Sequence, residues 1–441
     1  MAAHTLDRAV RLSIPVGGGA ALAVFGALYL RFPIAYYHLL TAWGVAPFRF
    51  PFLDAHAVLA AIECHGAGFD VYLYNPCDVL TRAHVYSPLF LEAAIFPVTI
   101  AWTNPVGIVL ALGFFVALTS LPQPRGSREW VIFTLAMLST MTAFAIERGN
   151  NDIGIFLIAA LAGHLALRAR AARMTAYFFV LFAACLKFYP VTLLLLTLRE
   201  RPRPFLAING MALCLLALFV AYYYDGLVKA FNLVPTGSYY TDLFGAVNLP
   251  FGIMALLAPL ENSYRSAAFA LQIFPWILFA LLVLGCLRAA AATLGKIDLY
   301  KPLGEPEAIF LTIGGVLIVS CFFAGQNIGY RGIFFLFALP GLMAMGRPTG
   351  HAAAQFRTIA WLIVFLMWGE CFRQALQHTK FDDPTAAFLL QTVKASFWLF
   401  RELIWWRVIG VLAGIVIGFA VKSETGRCVL SGLPLLRRAP P

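Results

Sequence analysis

Charge is scarce in this chain. Only 12% of its 441 residues are Asp, Glu, Lys or Arg, against about 25% in an ordinary soluble domain, which excludes a water-soluble globular protein. Acid is scarcer than base: 21 Asp plus Glu stand against 32 Lys plus Arg, a formal net charge of +11. No HExxH, no CxxC and no His-Asp cluster at ligand spacing occurs. No metal cage and no cofactor are therefore expected, and a divalent ion has no ligand motif behind it. Of the eight cysteines, five lie in apolar stretches, where Cys is usually a small core residue, and Cys428 lies in the C-terminal tail. Cys64 and Cys77 share one hydrophilic loop, and spacing alone leaves open whether they pair or stay free. No low-complexity tract, strong repeat or soluble insert appears, so residues 1–441 read as a single transmembrane domain.

What the chain has in abundance is apolar surface: 61% of residues are hydrophobic, 15% aromatic, and the mean hydropathy is +0.82. The fold class expected is an all-α polytopic integral membrane protein. A crossing takes about 20 apolar residues, and runs near 12–31, 130–147, 152–167, 205–222, 266–287, 307–323, 332–346, 358–376 and 404–421 meet or approach that length. About 10–13 transmembrane helices are expected in all. Arg8 and Arg11 before the first run read as an uncleaved signal anchor. Nineteen of the 32 basic residues cluster between runs, at 8–11, 125–128, 168–173, 199–203, 288–301, 347–357 and 422–438, and the positive-inside bias places these segments in the cytoplasm. The net charge is then a topology signal, not a sign of nucleic acid. The longest hydrophilic segments, 33–86, 223–264 and 377–403, fall outside.

Two runs are irregular. In 87–121, Pro97 and the Asn104-Pro105 pair interrupt the apolar pattern. In 174–198, Lys187 and Pro190 interrupt it, so either one flanking Arg cluster lies outside or two short helices meet near Lys187. Irregular backbone at membrane depth survives only against protein or a watery cavity. Gly410, Gly414 and Gly418 form a small-residue ladder suited to close helix packing.

Four segments carry chemistry. In the first outer loop, apolar spacing from Asp54 to His65 predicts an amphipathic helix on the outer membrane face, with Asp54 at its N-cap. An aspartate in a partly desolvated pocket can act as a general base, though a cap alone would explain it, and Glu63, Asp70 and Asp78 read as solvated loop carboxylates. The turn Glu147-Arg148-Gly149-Asn150-Asn151-Asp152 places ionisable groups at a membrane boundary, which suggests function, although any hairpin turn is polar. Lys187 in Lys-Phe-Tyr-Pro can bind an anion or simply snorkel. Gln326, Asn327, Tyr330 and Arg331 cap another outer turn. If Arg148, Lys187 and Arg331 converge, they would hold one anionic group, Arg by paired bonds and Lys as a point charge.

The order of these elements resembles the GT-C superfamily of polyprenyl-phosphate-sugar-dependent glycosyltransferases, and within it glycosyltransferase family 87, which includes mannosyltransferases. The likeness rests on Asp54, then Gly68-Phe69-Asp70-Val71-Tyr72, then Tyr86-Ser87-Pro88, followed by Gly149-Asn150-Asn151 and Lys187-Phe188-Tyr189-Pro190. It covers about the first 200 residues, and the rest matches only in hydropathy. The resemblance implies a catalytic module over 1–204, including outer loop 33–86, and variable helices over 205–441. It implies a GT-C-like bundle that moves a hexose, mannose by likeness, from a polyprenyl-phosphate-linked sugar to a lipid or glycan acceptor. Asp54 would be the inverting general base, Arg148, Lys187 and Arg331 the donor-phosphate ligands, and Asp70, Asn150, Asn151, Asp152 and Tyr330 the substrate contacts. The setting implied is a bacterial inner membrane with the site facing the periplasm and membrane lipids as neighbours. The chain departs from the pattern in lacking Asp-x-Asp in the first loop and in having Arg148 before Gly149. The alternative class is a secondary transporter or flippase of a lipid-linked or anionic substrate, since broken helices with an intramembrane lysine also suit a substrate path; two related halves, its usual mark, are not visible.

Overall fold

The computed structural model describes residues 2–234, 236–261, 268–296 and 301–432. Among them the only strands are Leu243–Phe244 and Asn327–Ile328, paired antiparallel with Leu243 opposite Ile328; the fold is otherwise helical. Among the described residues seven helices are long and apolar enough to cross a membrane: Leu12–Arg31, Ile100–Ser120, Pro202–Tyr222, Gln272–Leu294, Glu305–Ala324, His351–His378 and Pro384–Lys422. Ser127–Met137 with Thr140–Arg148 would make an eighth. These mark a multi-pass membrane protein. Beside them stand shorter apolar helices, among them Asn151–Ala166 and Tyr189–Arg199. A helix of 16 residues reaches only ~24 Å, less than the ~30 Å hydrocarbon layer.

The chain gathers into two compact units that interleave in sequence, Met1–Gln123, Thr140–Val191 and Met211–Pro235 in the first, Pro124–Ser139, Thr192–Gly210 and Thr236–Pro441 in the second. In the first unit, Thr103–Ser120 packs between Ala2–Arg31 and Asn151–Ala166, and the latter packs on Arg170–Leu186. The irregular run after Ser87 resolves into short 3-10 turns, Pro88–Ile95 and Ile100–Trp102, before Thr103–Ser120 begins. Pro97 breaks the chain as expected, but Pro105 falls in a helix's first turn, where its missing N–H costs nothing. The run 174–198 resolves into two short helices, Arg170–Leu186 and the 3-10 helix Tyr189–Arg199. Lys187 between them is extended, with φ −145° and ψ 139°.

The helix expected in the first outer loop forms as Leu53–Gly66, with two corrections. It is not amphipathic: it contacts Pro88–Ile95, Ile100–Trp102, Thr103–Ser120 and Thr140–Arg148, and residues on several faces, including His56, Leu59, Ala60, Ile62 and Cys64, are buried. Nor is Asp54 its N-cap. Phe52 holds that position with φ +64°, and no side chain caps the helix. Asp54 sits in the first turn, where a carboxylate is favoured by the helix dipole.

Phe52 fits because two glycines receive it. A Cβ added at Gly107 would lie 2.2 Å from the Phe52 ring, and one at Gly149 3.1 Å from its Cβ and 3.3 Å from Ala55. Gly149 is also left-handed, with φ +55°. We expect Gly149→Ala to lose roughly 1–2 kcal/mol from backbone conformation alone, seen as a lower unfolding midpoint in detergent. Gly154→Ala, where the added Cβ meets nothing within 4 Å, should hold or raise it. Equal midpoints for the two variants would remove the strain argument.

In the second unit, Ala268–Leu294 packs along Pro384–Lys422 through part of the glycine ladder. A Cβ at Gly410 would meet Ala289 at 2.8 Å, and one at Gly414 the Ala290 carbonyl at 2.6 Å. Three basic segments converge at one end of this unit. Arg125 bonds Glu307 at 2.9 Å, Arg347 bonds Glu129 at 2.7 and 2.9 Å, and Arg199 pairs with Glu305. Loops expected to share one membrane side thus meet in space. Arg437, Arg438 and the side chains of Arg8 and Arg11 lie outside what is described.

Candidate functional site

The first unit assembles a polar constellation around Asp54. The helix Asn151–Ala166 begins at the turn after Gly149, and Asn150 is its N-cap: the Asn150 side-chain oxygen accepts from the Asp152 backbone N–H at 2.8 Å. The same amide then has its nitrogen pointed outward, and Nδ2 donates to Asp54 Oδ2 at 2.7 Å. One capping residue therefore fixes both a helix start and a carboxylate. The other oxygen, Oδ1, faces two guanidiniums, with Arg82 Nη1 at 3.7 Å and Arg148 Nη1 at 4.0 Å. The Asp54 side chain keeps 14% of its surface exposed, so its carboxylate can be reached from outside.

Each guanidinium is held in place by other groups. Arg148 is buried, with its guanidinium carbon 3.7 Å from the Phe48 ring centre and 4.8 Å from that of Phe144, a cation–π sandwich. Arg82 is gripped by Asp78, through Nε to Oδ2 and Nη2 to Oδ1, both 2.9 Å, and Nη2 also donates to the Leu53 carbonyl at 3.0 Å. Asp78 is buried with no exposed side-chain surface, which corrects its reading as a solvated carboxylate. Burial opposes its charge, but hydrogen bonds from the Arg82 side chain and backbone outweigh this and hold its carboxyl below the usual range. His56 lies 3.9 Å from Asp78 and hydrogen-bonds Thr103 at 3.2 Å; burial lowers its imidazole. Cys64 and Cys77 are joined as a disulfide, with Cα atoms 5.8 Å apart. The bond ties the loop bearing Asp78 and Arg82 to the helix bearing Asp54.

A second carboxylate sits at the same turn. Asp152 is fully buried, 2.7 Å from Lys187 Nζ and hydrogen-bonded by the Tyr189 hydroxyl. The break at Lys187 turns both partners toward it. Lys187 Nζ also lies 5.4 Å from the Tyr86 ring centre. In the same turn, the Glu147 oxygens, Arg148 Nε and both amide heteroatoms of Asn151 are buried without a hydrogen-bond partner, although Glu147 lies 3.4 Å from Arg148. Such groups need an explanation in a native fold, and a bound polar ligand would supply one.

The expected residues therefore divide. Asp54, Arg148 and Asn150 are brought together, with Asn151 between Asn150 and Asp152 in the same turn, and Asp152 and Lys187 form a buried pair there. Asp70 is exposed and bonded to Lys229 at 2.8 Å, a contact that lowers its carboxyl. Tyr330, buried, and Arg331, half-buried, belong to the second unit, in the 3-10 helix Gly329–Phe334. Glu63 accepts from the Ile100 N–H at 2.6 Å, at the start of a 3-10 turn. Sequence reasoning passed over Arg82 and gave its partner Asp78 no role in a site. Their signal was an i, i+4 acid–base pair in the loop. Among the described residues no group of three or more His, Cys, Asp or Glu could hold a metal ion.

His84 in this loop is buried, between the rings of Tyr72 and Tyr86, and burial pushes its imidazole down to about 4. Its folded value lies below the unfolded ~6.5, so the unfolded chain takes up the proton first. The stability His84 contributes is full above pH ~6.5 and is lost as pH falls toward ~4, by about 3 kcal/mol. Asp78, also lowered, adds loss in the same direction within the carboxylate range. A falling unfolding midpoint between pH 7 and 4.5, flattened in His84→Gln, is the expected result; an unchanged slope in that variant would exclude His84 as the cause.

No protein family, curated protein or solved structure matches the chain.

Proposed function

We propose that this protein is a membrane glycosyltransferase. It would move a hexose from a polyprenyl-phosphate donor to a hydroxyl of a lipid or glycan acceptor on the extracytoplasmic side. The observation that carries the reading is the environment of Asp54: a reachable carboxylate, one oxygen fixed by Asn150 and the other facing two guanidiniums at 3.7 and 4.0 Å. That is the set of charges an inverting transfer from a lipid phosphate needs. The acceptor oxygen attacks the anomeric carbon, its proton passes to Asp54, and the bond from that carbon to the phosphate oxygen breaks with its electrons on the phosphate.

General-base assistance of this kind is worth about 10²–10⁴ in rate, and preorganised cations stabilise the charge gathering on the leaving group. Both guanidiniums stand beyond hydrogen-bond distance of Asp54. Arg82 has Nη1 uncommitted to Asp78, and Arg148, whose Nε faces Glu147 at 3.4 Å, keeps Nη1 on the Asp54 side at 4.0 Å, so each can turn an N–H group to an anion. Arg148 keeps the phosphate role implied by the resemblance and Arg82 joins it. Lys187, committed to Asp152, orders the turn that carries Asn150. Mannose as the sugar, and the periplasmic face of a bacterial inner membrane as the setting, follow from the resemblance.

The test is to reconstitute the purified protein with a panel of polyprenyl-phosphate hexoses and membrane extract as acceptor, and to measure released lipid phosphate. Release with one donor, dependent on acceptor, is expected. Movement of a donor across the bilayer with no release from any of them would overturn the reading in favour of transport.

A further inference from the structure

The second unit contains a cavity of about 480 Å³ whose lining includes Arg373, Lys394 and Arg401 and no carboxylate. We propose that it binds the anionic headgroup of a membrane phospholipid, independently of any catalytic role for Asp54.

The cations are built in. Glu370 holds Arg373 through Nε at 2.6 Å. Arg401 is buried and fixed by Glu402 at 2.9 Å and by the carbonyls of Thr241 and Leu243 at 2.8 and 3.2 Å. Neither Glu370 nor Glu402 lines the cavity, and neither does Asp242, whose carboxylate interacts with both arginines; Glu370 and Glu402 orient the two guanidiniums, and Lys394 adds a third cation at the lining. These contacts leave one N–H on Arg401 Nη1 and the whole Nη1 of Arg373 uncommitted to their carboxylate partners. Lys394 has no ion-pair or hydrogen-bond partner among the described residues, and its charge is uncompensated at the cavity wall. Gln377, Gln391 and Thr392 add donors and acceptors suited to the ester and hydroxyl oxygens of a headgroup.

The height of the cavity favours a lipid over a soluble anion. Helices His351–His378 and Pro384–Lys422 are antiparallel neighbours, and a Cβ at Gly369 would lie 3.5 Å from Arg401 Cδ, which sets the two helices in register. A crossing consumes about 20 residues at 1.5 Å each. Counted from His351 on one helix and from Lys422 on the other, it ends near Cys371 and Glu402. Arg373 and Arg401 therefore stand together where the phosphates of one leaflet lie. One turn from Thr392, Phe388 and Leu389 are 72% and 58% exposed, an apolar surface for acyl chains beside the charged pocket.

The experiment uses the full-length protein in neutral detergent and measures binding of fluorescent phosphatidylglycerol and phosphatidylcholine, with glycerol 3-phosphate as soluble competitor. Phosphatidylglycerol should bind several-fold more tightly. Lys394→Gln should weaken it roughly fivefold, the worth of one basic residue near an anionic surface, and the partnerless Lys394 can be replaced without disturbing the fold. Equal binding of the two lipids, or unchanged affinity in Lys394→Gln, would overturn the proposal. Displacement by millimolar glycerol 3-phosphate would overturn the lipid as occupant and leave a soluble phosphate in its place.

Discussion

Asp54→Asn should reduce lipid-phosphate release by about 10²–10⁴, the usual contribution of a positioned general base, while leaving the unfolding midpoint near that of the wild type. Asparagine keeps the size of the side chain and keeps an oxygen to accept from Asn150 Nδ2, which now donates at 2.7 Å. What it removes is the negative charge and the ability to take a proton. The change also removes the anion that draws Arg82 and Arg148, so affinity for an anionic donor should hold or rise while turnover falls. That split separates a base from a binding residue, whose loss would raise KM. Wild-type turnover in Asp54→Asn would end the assignment, whatever the protein's substrate.

Much of this arrangement was legible in the sequence, and the rest was not for identifiable reasons. A helix near Asp54 could be read because apolar spacing and polar flanks are local. The break at Lys187 could be read because Pro190 and a lysine in an apolar run leave few alternatives. Burial of the Asp54 helix on several faces could not be read, because it depends on four elements distant in sequence that close around it. Its small residues, such as Ala55, Ala60 and Ala61, give no strong stripe to mark which face is inside. Asp78 looked solvated because it stands among loop residues, and only the Arg82 fork and the Cys64–Cys77 bond fold that loop inward. The expected convergence of three cations counted residues on the outer side without knowing which were already committed. Lys187 was: its partner, Asp152, lies 35 positions back in the chain and was read as a substrate contact.

That commitment gives the second large effect. Lys187→Met leaves Asp152, with none of its side chain exposed, charged and without the ammonium 2.7 Å away. Breaking one side of a buried ion pair costs about 3–5 kcal/mol, because the remaining charge is stranded in low dielectric. The Tyr189 hydroxyl still donates to Asp152, but a neutral hydrogen bond is worth about 1 kcal/mol, less than the loss of the buried ammonium. Adding Asp152→Asn removes the charge while keeping an oxygen for Tyr189, so Lys187→Met/Asp152→Asn should recover most of the lost stability. Activity in the double variant then decides the role of the lysine. If Lys187 orders the turn, transfer returns along with the midpoint, since Asn150 regains its place against Asp54. If Lys187 binds the donor phosphate instead, the double variant folds but keeps a raised KM for donor. We expect the first result, with the unfolding midpoint and KM measured on the same preparation; a single Lys187→Met variant that melts with the wild type would show that the pair does not hold the turn.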